Sequence, residues 1–441
     1  MCGIAGFCNF NENFEENTDY WNFRLEKMRA VLAHRGNDAR GRFLKKHIGL
    51  SHSRLAIRDI LCGDQPMTRT HNGYDYTICY NGEIYNTDEL IPELSENGFV
   101  CSTTSDTEVI LYAYIHWGTD FVSRLNGIFA FAIWDAAKNR LLLYRDRVGV
   151  KPLFYAIRGD SLVFGSEPKA CFAHPAVKPE LDKQGLQELL AIGPAHTSGL
   201  SLFKDLFEVL PGHFMIYSRD GLHDETYWEL TSREHTDSYQ DTVAHTRFLV
   251  EDAIKRQMVS DVPVCTFLSG GIDSSIVTAI AANYMNTRGK TLNTFSFDFK
   301  DNDRYFKANA FQPERDLPYV NRMLEEYETA HSYLECDENS LFKALFAAVD
   351  AKDMPGMTDV DSSLLYFCSL VSRKNKVALT GECADEIFGG YPWFYRKELL
   401  ERYGFPWSSD VAPRLALLRD DVALELDLSG YQAFRYEESR S

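Results

Sequence analysis

Two glycines, three hydroxyls and one carboxylate fall within Ser269-Gly270-Gly271-Ile272-Asp273-Ser274-Ser275, between apolar runs at 262–268 and 276–282. An apolar pattern that breaks and resumes in this way reads as strand, tight loop and helix. Glycine lets the backbone approach an anion, and serine hydroxyls with the amides of a helix start donate to phosphate oxygens. Asp273 can hold Mg²⁺ on those same oxygens. No Gly-Lys-Ser/Thr follows, which excludes a Walker A loop, and Phe267 stands where a nucleophile elbow requires its first glycine. A second turn with carboxylates, Gly381-Glu382-Cys383-Ala384-Asp385, closes the apolar run that begins at Val377. Carboxylates at two strand ends, Asp273 and Asp385, offer hard oxygen donors of the kind that carry a divalent cation against phosphate charge. At the other end of the chain, Cys2 follows the initiator Met1. Removal of Met1 would put a thiol and an α-amine on one residue, and an amine titrating at about pH 8 can take the thiol's proton.

These groups need a scaffold, and the composition provides for one. The chain has 441 residues, 45% of them hydrophobic, enough for two or three packed domains. A formal charge of -18 argues against a nucleic-acid or anionic-membrane partner, because either needs clustered Lys and Arg. No run of about 18 apolar residues occurs and the N-terminus lacks a signal-peptide pattern, so a cytoplasmic protein is expected. The 10 cysteines include no Cys-x-x-Cys pair, which points to buried thiols rather than disulfides or zinc, Cys2 excepted. The segments 125–135 and 141–155 read as two buried strands around a turn, and 164–167 and 210–217 extend the sheet. Residues 229–241, polar and without periodicity, read as a linker. A helix over about 242–258, with Ala244, Phe248, Val250, Ala253 and Ile254 on one face, leads into the Ser/Gly turn. With a further strand at 292–299, the succession predicts a parallel, doubly wound sheet with ligand at the carboxyl ends of its strands. Backbone at Leu268 and Phe297 would then face a nucleobase.

Between Cys2 and residue 108 the polar motifs His34-Arg35-Gly36, Ser51-His52-Ser53-Arg54, Asn81-Gly82-Glu83-Ile84-Tyr85-Asn86 and Ser105-Asp106-Thr107-Glu108 recur between short apolar runs. Together they resemble the class II glutamine amidotransferase domain, an N-terminal-nucleophile hydrolase of αββα sandwich fold, over residues 2–217. The resemblance implies that Cys2 attacks the glutamine side-chain amide. It also implies that Asn81 and the Gly82 amide form the oxyanion hole, that Arg54 and Asp106 hold the α-carboxylate and α-amine, and that Glu83 assists at the amine. Elementary chemistry agrees: a tetrahedral oxyanion needs preset donors, a carboxylate suits a guanidinium and an ammonium suits a carboxylate. Taken singly, Asn81-Gly82 is also a favoured hairpin turn and Arg54 and Asp106 could be surface charges. Arg145 and Asp146 resemble a family pair that shapes the glutamine pocket, with a structural ion pair as the alternative. Asn37 departs from the proline usual after Arg-Gly in that family.

The turn at 269–275 resembles the pyrophosphate loop of ATP pyrophosphatases that adenylate a carboxylate, and the turn at 381–385 resembles its companion in asparagine synthetases. The resemblance implies ATP contacts at Leu268, Ser269, Gly270, Gly271, Asp273, Ser274, Ser275, Phe297, Gly381 and Glu382. It further implies Mg²⁺ on Asp273 and Asp385, and Glu382 as proton acceptor when ammonia attacks the acyl-adenylate. Cys383 stands where many relatives have glycine, and 354–365 is the expected aspartate-site segment. Both halves match glutamine-hydrolysing asparagine synthetases. The expected organisation is a glutaminase domain at 1–218, a linker at 219–240 and an α/β ATP-pyrophosphatase domain at 241–441. Glutamine, aspartate and ATP are the expected small-molecule partners, and the resemblance leaves room for a homodimer. Amidation of a different carboxylate, or glutaminase activity alone, are the alternatives. Residues 392–441 contain neither the Gly-Leu-Glu-x-Arg-Val-Pro-Phe segment nor the later phosphate-contacting lysine of the family. A C-terminally shortened synthetase is therefore expected, with a helix at 415–428 exposing apolar surface.

Overall fold

The computed structural model describes residues 1–308, 314–408 and 410–440. They form two compact units, Met1–Arg233 with Leu424–Leu426, and Glu234–Ala423 with the residues from Asp427 onward. Among the described residues no helix is long and apolar enough to cross a membrane.

The first unit is an αββα sandwich of two antiparallel sheets with six strands each. One sheet runs, edge to edge, Phe207–Glu208, Phe154–Arg158, Ser161–Gly165, Gly3–Asn9, Ile48–Arg54 and Ala39–Lys45. The other runs Gly221–Thr226, His213–Ser218, Arg140–Arg145, Gly127–Asp135, Tyr74–Ile84 and Met67–His71. Strand residues alternate between faces, so each central strand serves two cores. Ile4, Leu50 and Phe164 meet Ala132, Leu143 and Met215 between the sheets. On the outer face of one sheet Phe7 and Val163 pack on Trp21, Leu25 and Met28 of the helix Thr18–Ala30. On the outer face of the other, Ile78 and Phe131 pack on Leu90 and Leu94 of Thr87–Glu96 and on Ile110 and Tyr114 of Asp106–Trp117. Burial on both faces explains why these strands read as apolar runs rather than alternating ones.

Two sequence expectations need adjustment here. The stretch 141–155 is not one strand: Arg140–Arg145 belongs to one sheet and Phe154–Arg158 to the other, and the crossing between them turns at Gly149, with φ +71°. The second sheet also runs past residue 218, because Gly221–Thr226 pairs with His213–Ser218 as an edge hairpin. Its residues 223–226 are exposed on both faces, so no hydrophobic alternation marks it.

The second unit is a three-layer α/β fold. Four parallel strands lie in the order Thr329–Cys336, Leu292–Phe299, Val264–Phe267 and Val377–Leu379. Ala281 and Ala282 of the helix Ile272–Asn286 pack with Met258, Val264 and Leu292, and Phe367 and Val371 of Thr358–Val371 pack with Cys265 and Phe295. The helix leading into this sheet spans Tyr239–Arg256, because Ser238 caps it by accepting from the Asp241 amide. The single helix expected at 415–428 is instead split: Ala412–Leu415, Asp420–Leu426 and Leu428–Glu438 are separate, with Asp427 left-handed at φ +42°. Leu417 and Leu424 are exposed.

Candidate active sites

Cys2 lies just before the central strand Gly3–Asn9, where the Leu55 amide donates to its Sγ at 3.4 Å and its thiol faces the Leu55 carbonyl at 3.6 Å. Arg35 fixes the Cys2 backbone, donating from Nε to the Cys2 carbonyl at 2.9 Å, and its Nη1 is paired with Glu167 at 2.7 Å. Burial raises the Glu167 carboxyl, but hydrogen bonds from His34 and Arg35 outweigh it and hold the group at about 2. Burial also pushes the Cys2 thiol up. The chain's first amine, here that of Met1, falls to about 5 through burial; the Cys2 charge opposes this, while those of Arg35 and Lys151 add to it. That amine belongs to Met1; amine-based activation of the thiol needs the Cys2 amine, which removal of Met1 would free.

Asn81 and Gly82 are not a hairpin turn. They lie inside the long strand Tyr74–Ile84, opposite Ala130 and Phe129. Cys79, Asn81 and Glu83 share one face by the two-residue period, and both Cys79 and Glu83 interact electrostatically with Cys2. Asn81 is 1% exposed, yet its Nδ2 has no hydrogen-bond partner among the described residues. A buried amide N–H left unpaired costs about 1–3 kcal/mol, so its persistence points to a ligand acceptor. Gly82 is required by packing, since a Cβ there would meet the Ile128 carbonyl oxygen at 2.3 Å.

Asp106 opens the helix Asp106–Trp117 behind the Ser105 cap and is buried. It accepts from the Tyr80 hydroxyl at 2.9 Å and the Ile84 amide at 3.0 Å. Burial raises its carboxyl, and burial with the Asp106 charge carries Glu83 to about 8, so the pair favours an arriving cation. Arg54 is also buried rather than a surface charge. Its Nη1 donates to the Ile60 carbonyl at 3.1 Å and to Asp64 at 3.0 Å, and its Nη2 donates to the Asp59 carbonyl at 2.5 Å. Of these partners, Asp64 is exposed.

Arg145 and Asp146 do different jobs. Arg145 pairs with Glu208 at 2.8 Å, and Asp146 accepts from the amides of Phe129, Val150 and Lys151 at 3.1, 2.9 and 2.9 Å. Sequence reasoning left out Arg58, whose Nη1 donates to the Ile84 carbonyl at 2.8 Å and whose charge faces Glu83 and Asp106. It also assigned no role to the buried Lys151. A lysine within the otherwise apolar 148–155 was the available signal.

In the second unit the turn after Val264–Phe267 is held by its own hydroxyls: Ser269 Oγ and Ser274 Oγ are 3.0 Å apart, and Ser274 donates to the Gly271 carbonyl at 3.2 Å. Gly270 sits at φ +85°, a conformation that favours glycine. Leu268, Ser269 and Phe297 line a cleft of about 860 Å³ at the carboxyl ends of the strands, together with Ser296, Asp298 and Arg315. Gly270, Gly271 and Ser275 occupy the turn and first helical residues beside it. The two signature turns touch at Gly381, where a Cβ would lie 2.7 Å from the Ser274 amide nitrogen and 2.8 Å from Asp273 Cβ. That approach brings Asp385 near Asp273, whose carboxyl is raised by burial and then by the Asp385 charge. Glu382 is exposed at the end of Val377–Leu379. Cys383 is left-handed at φ +69°, which explains the glycine usual there. Among the described residues no cluster of three or more metal-ligating side chains occurs. In the expected aspartate segment, Asp361 accepts from the Met357 amide at 2.8 Å and pairs with Lys352 at 2.8 Å.

Residues 1–228 match a family model described as a glutamine amidotransferase domain, and residues 245–441 match one described as asparagine synthase. Asparagine synthetase [glutamine-hydrolyzing] 3 of Bacillus subtilis is 47% identical over 440 residues, covering 100% of this chain and 71% of its own length. The chain belongs to the glutamine-hydrolysing asparagine synthetase family. Asparagine synthetase [glutamine-hydrolyzing] 1 of the same organism is 33% identical over 403 residues, and the chain spans 60% of it. Within this synthetase family the present chain pairs an amidotransferase sandwich with a parallel-sheet nucleotide fold.

Proposed function

We propose that the chain makes asparagine from aspartate, ATP and glutamine, with glutamine hydrolysed in the first unit and its ammonia consumed in the second. The observation that carries the reading in the first unit is the unpartnered Asn81 Nδ2, buried on the strand face that flanks Cys2. After removal of Met1, the Cys2 amine accepts the thiol proton as sulfur bonds to the glutamine amide carbon. The oxyanion is met by Asn81 Nδ2 and the Gly82 amide. Collapse breaks the C–N bond, the amine's proton leaves with ammonia, and water hydrolyses the thioester to glutamate. Asp106, with Glu83 assisting, receives the substrate ammonium, and Arg54 the carboxylate.

In the second unit the turn at 268–275, with Phe297, Gly381 and Glu382, holds ATP. Two hard oxygen donors close together, with the Asp273 carboxyl raised by burial and then by the Asp385 charge, suit Mg²⁺, which Asp273 and Asp385 would hold. Bound there, the cation would offset negative charge on the phosphates. Aspartate's β-carboxylate displaces pyrophosphate from ATP, and ammonia then displaces AMP, with Glu382 taking the proton that ammonia loses. Intact mass together with Cys2→Ala tests the reading: Met1 should be missing, and the variant should lose glutamine hydrolysis while keeping ammonia-dependent synthesis. Retention of Met1 in a hydrolysing protein would contradict it.

A further inference from the structure

The crossing between the two sheets of the first unit is locked from both sides. Asp146 accepts from the amides of Val148, Val150 and Lys151 at 3.3, 2.9 and 2.9 Å, while Arg145 donates to the carbonyls of Lys151 and Gly149 at 3.1 and 3.2 Å. This rigid arch projects the Lys151 side chain inward. Lys151 is 8% exposed, and its ammonium contacts Met1 Sδ at 3.0 Å. The hydrogen bond that its ammonium makes goes to this thioether sulfur rather than to a carboxylate. A buried ammonium whose contact is a neutral sulfur is costly, and the hydrogen bonds of the arch hold it in place against that cost. The groups that face it are Arg35 from the turn Ala33–Arg35, Glu83 from the strand Tyr74–Ile84, Asp146 at the root of the arch, and Cys2. The chain's first amine senses Lys151 in turn.

We infer that Lys151 is an electrostatic positioning residue for the Cys2 thiol–amine pair, a role that rests on the glutaminase reading above. With Met1 removed, its charge faces the exposed pair directly. A cation there disfavours a proton on the α-amine and favours negative charge on the sulfur. Burial, and then Arg35, lower its own ammonium to about 8, so it carries its charge through the neutral range.

The test is the pH profile of kcat for glutamate release at saturating glutamine, where the Glu83 ionisation that governs binding no longer enters, using the processed full chain without ATP. In Lys151→Met the acid limb should move up by about one pH unit, because loss of the neighbouring cation lets the α-amine keep its proton to higher pH. Lys151→Arg should return the limb to the wild-type position. The rate of thiol alkylation by iodoacetamide, followed against pH, should shift in the same direction. Should Lys151→Met fail to fold, Lys151→Gln against Lys151→Arg gives the same comparison. An active wild type whose neutral variant keeps the acid limb in place, or whose Arg variant loses as much activity as the neutral one, overturns this inference alone. A wild type that releases no glutamate overturns the glutaminase reading and the inference with it.

Discussion

Single residues set the sign of the effects expected at the glutamine site. In the proposed glutaminase reaction Glu83, at about 8, would need to be ionised to assist at the substrate ammonium, so protons would compete with substrate below that pH. Glutamine KM should therefore rise as pH falls through about 8, and Glu83→Gln should flatten the rise; steady-state kinetics across that range measures both. The ion pair from Arg54 to Asp64 makes a second test, because its acidic partner is exposed and holds the guanidinium proposed to bind the substrate carboxylate. Asp64→Asn should lower glutamine KM by about two- to five-fold, the range for releasing an exposed pair. At this scale the sequence singles out residues that sit in a local motif, such as Asn81, Asp106, Asp273 and Asp385. It does not single out Arg58, Tyr80 or Lys151, since each reaches its place through strand register or a turn rather than through neighbours in sequence.

Among the elements, the loop ahead of the helix Asp106–Trp117 depends on Glu108, which is fully buried and accepts from Arg69 Nε at 2.8 Å and from the amides of Ser102 and Thr103 at 2.9 and 2.7 Å. Burial works to raise this carboxyl, but hydrogen bonds from Thr103, Arg69 and Ser102 prevail and hold it at about 2. With a lowered folded-state value, its stabilisation is present above the ordinary 4.5 and is lost as pH falls from there towards about 2. Glu108→Gln should cost about 2–4 kcal/mol at neutral pH and weaken this acid dependence, read by denaturant melts at a series of pH values. Cys383 predicts the opposite sign. Its left-handed backbone means Cys383→Gly should stabilise by about 1 kcal/mol, raising Tm by a few degrees. Elements buried on both faces, such as Gly127–Asp135 and Leu292–Phe299, could be read from sequence. The edge strand Gly221–Thr226 and the break at Asp427 could not, because polar residues exposed on both faces carry no period and a left-handed aspartate leaves the apolar pattern intact.

At the scale of the whole molecule, the two chemistries reside in units with separate cores. Changes at one site should therefore spare the basal reaction of the other. Asp273→Asn or Asp385→Asn should suppress aspartate-dependent pyrophosphate release and its Mg²⁺ dependence, with glutamate release nearly unchanged. Normal Mg²⁺ dependence in both variants would remove those carboxylates from the nucleotide site. The strand–helix–strand succession made the parallel sheet legible from hydrophobic period and order of elements, whereas the αββα sandwich was implied by the resemblance of the polar motifs between Cys2 and Glu108. The measurement that bears most directly on the account is nitrogen transfer from glutamine labelled with ¹⁵N at its side-chain amide, in the presence of ATP, Mg²⁺ and aspartate. The account predicts ¹⁵N in the side-chain amide of asparagine, with AMP, pyrophosphate and glutamate formed alongside. Glutamate and labelled free ammonia without labelled asparagine would contradict it.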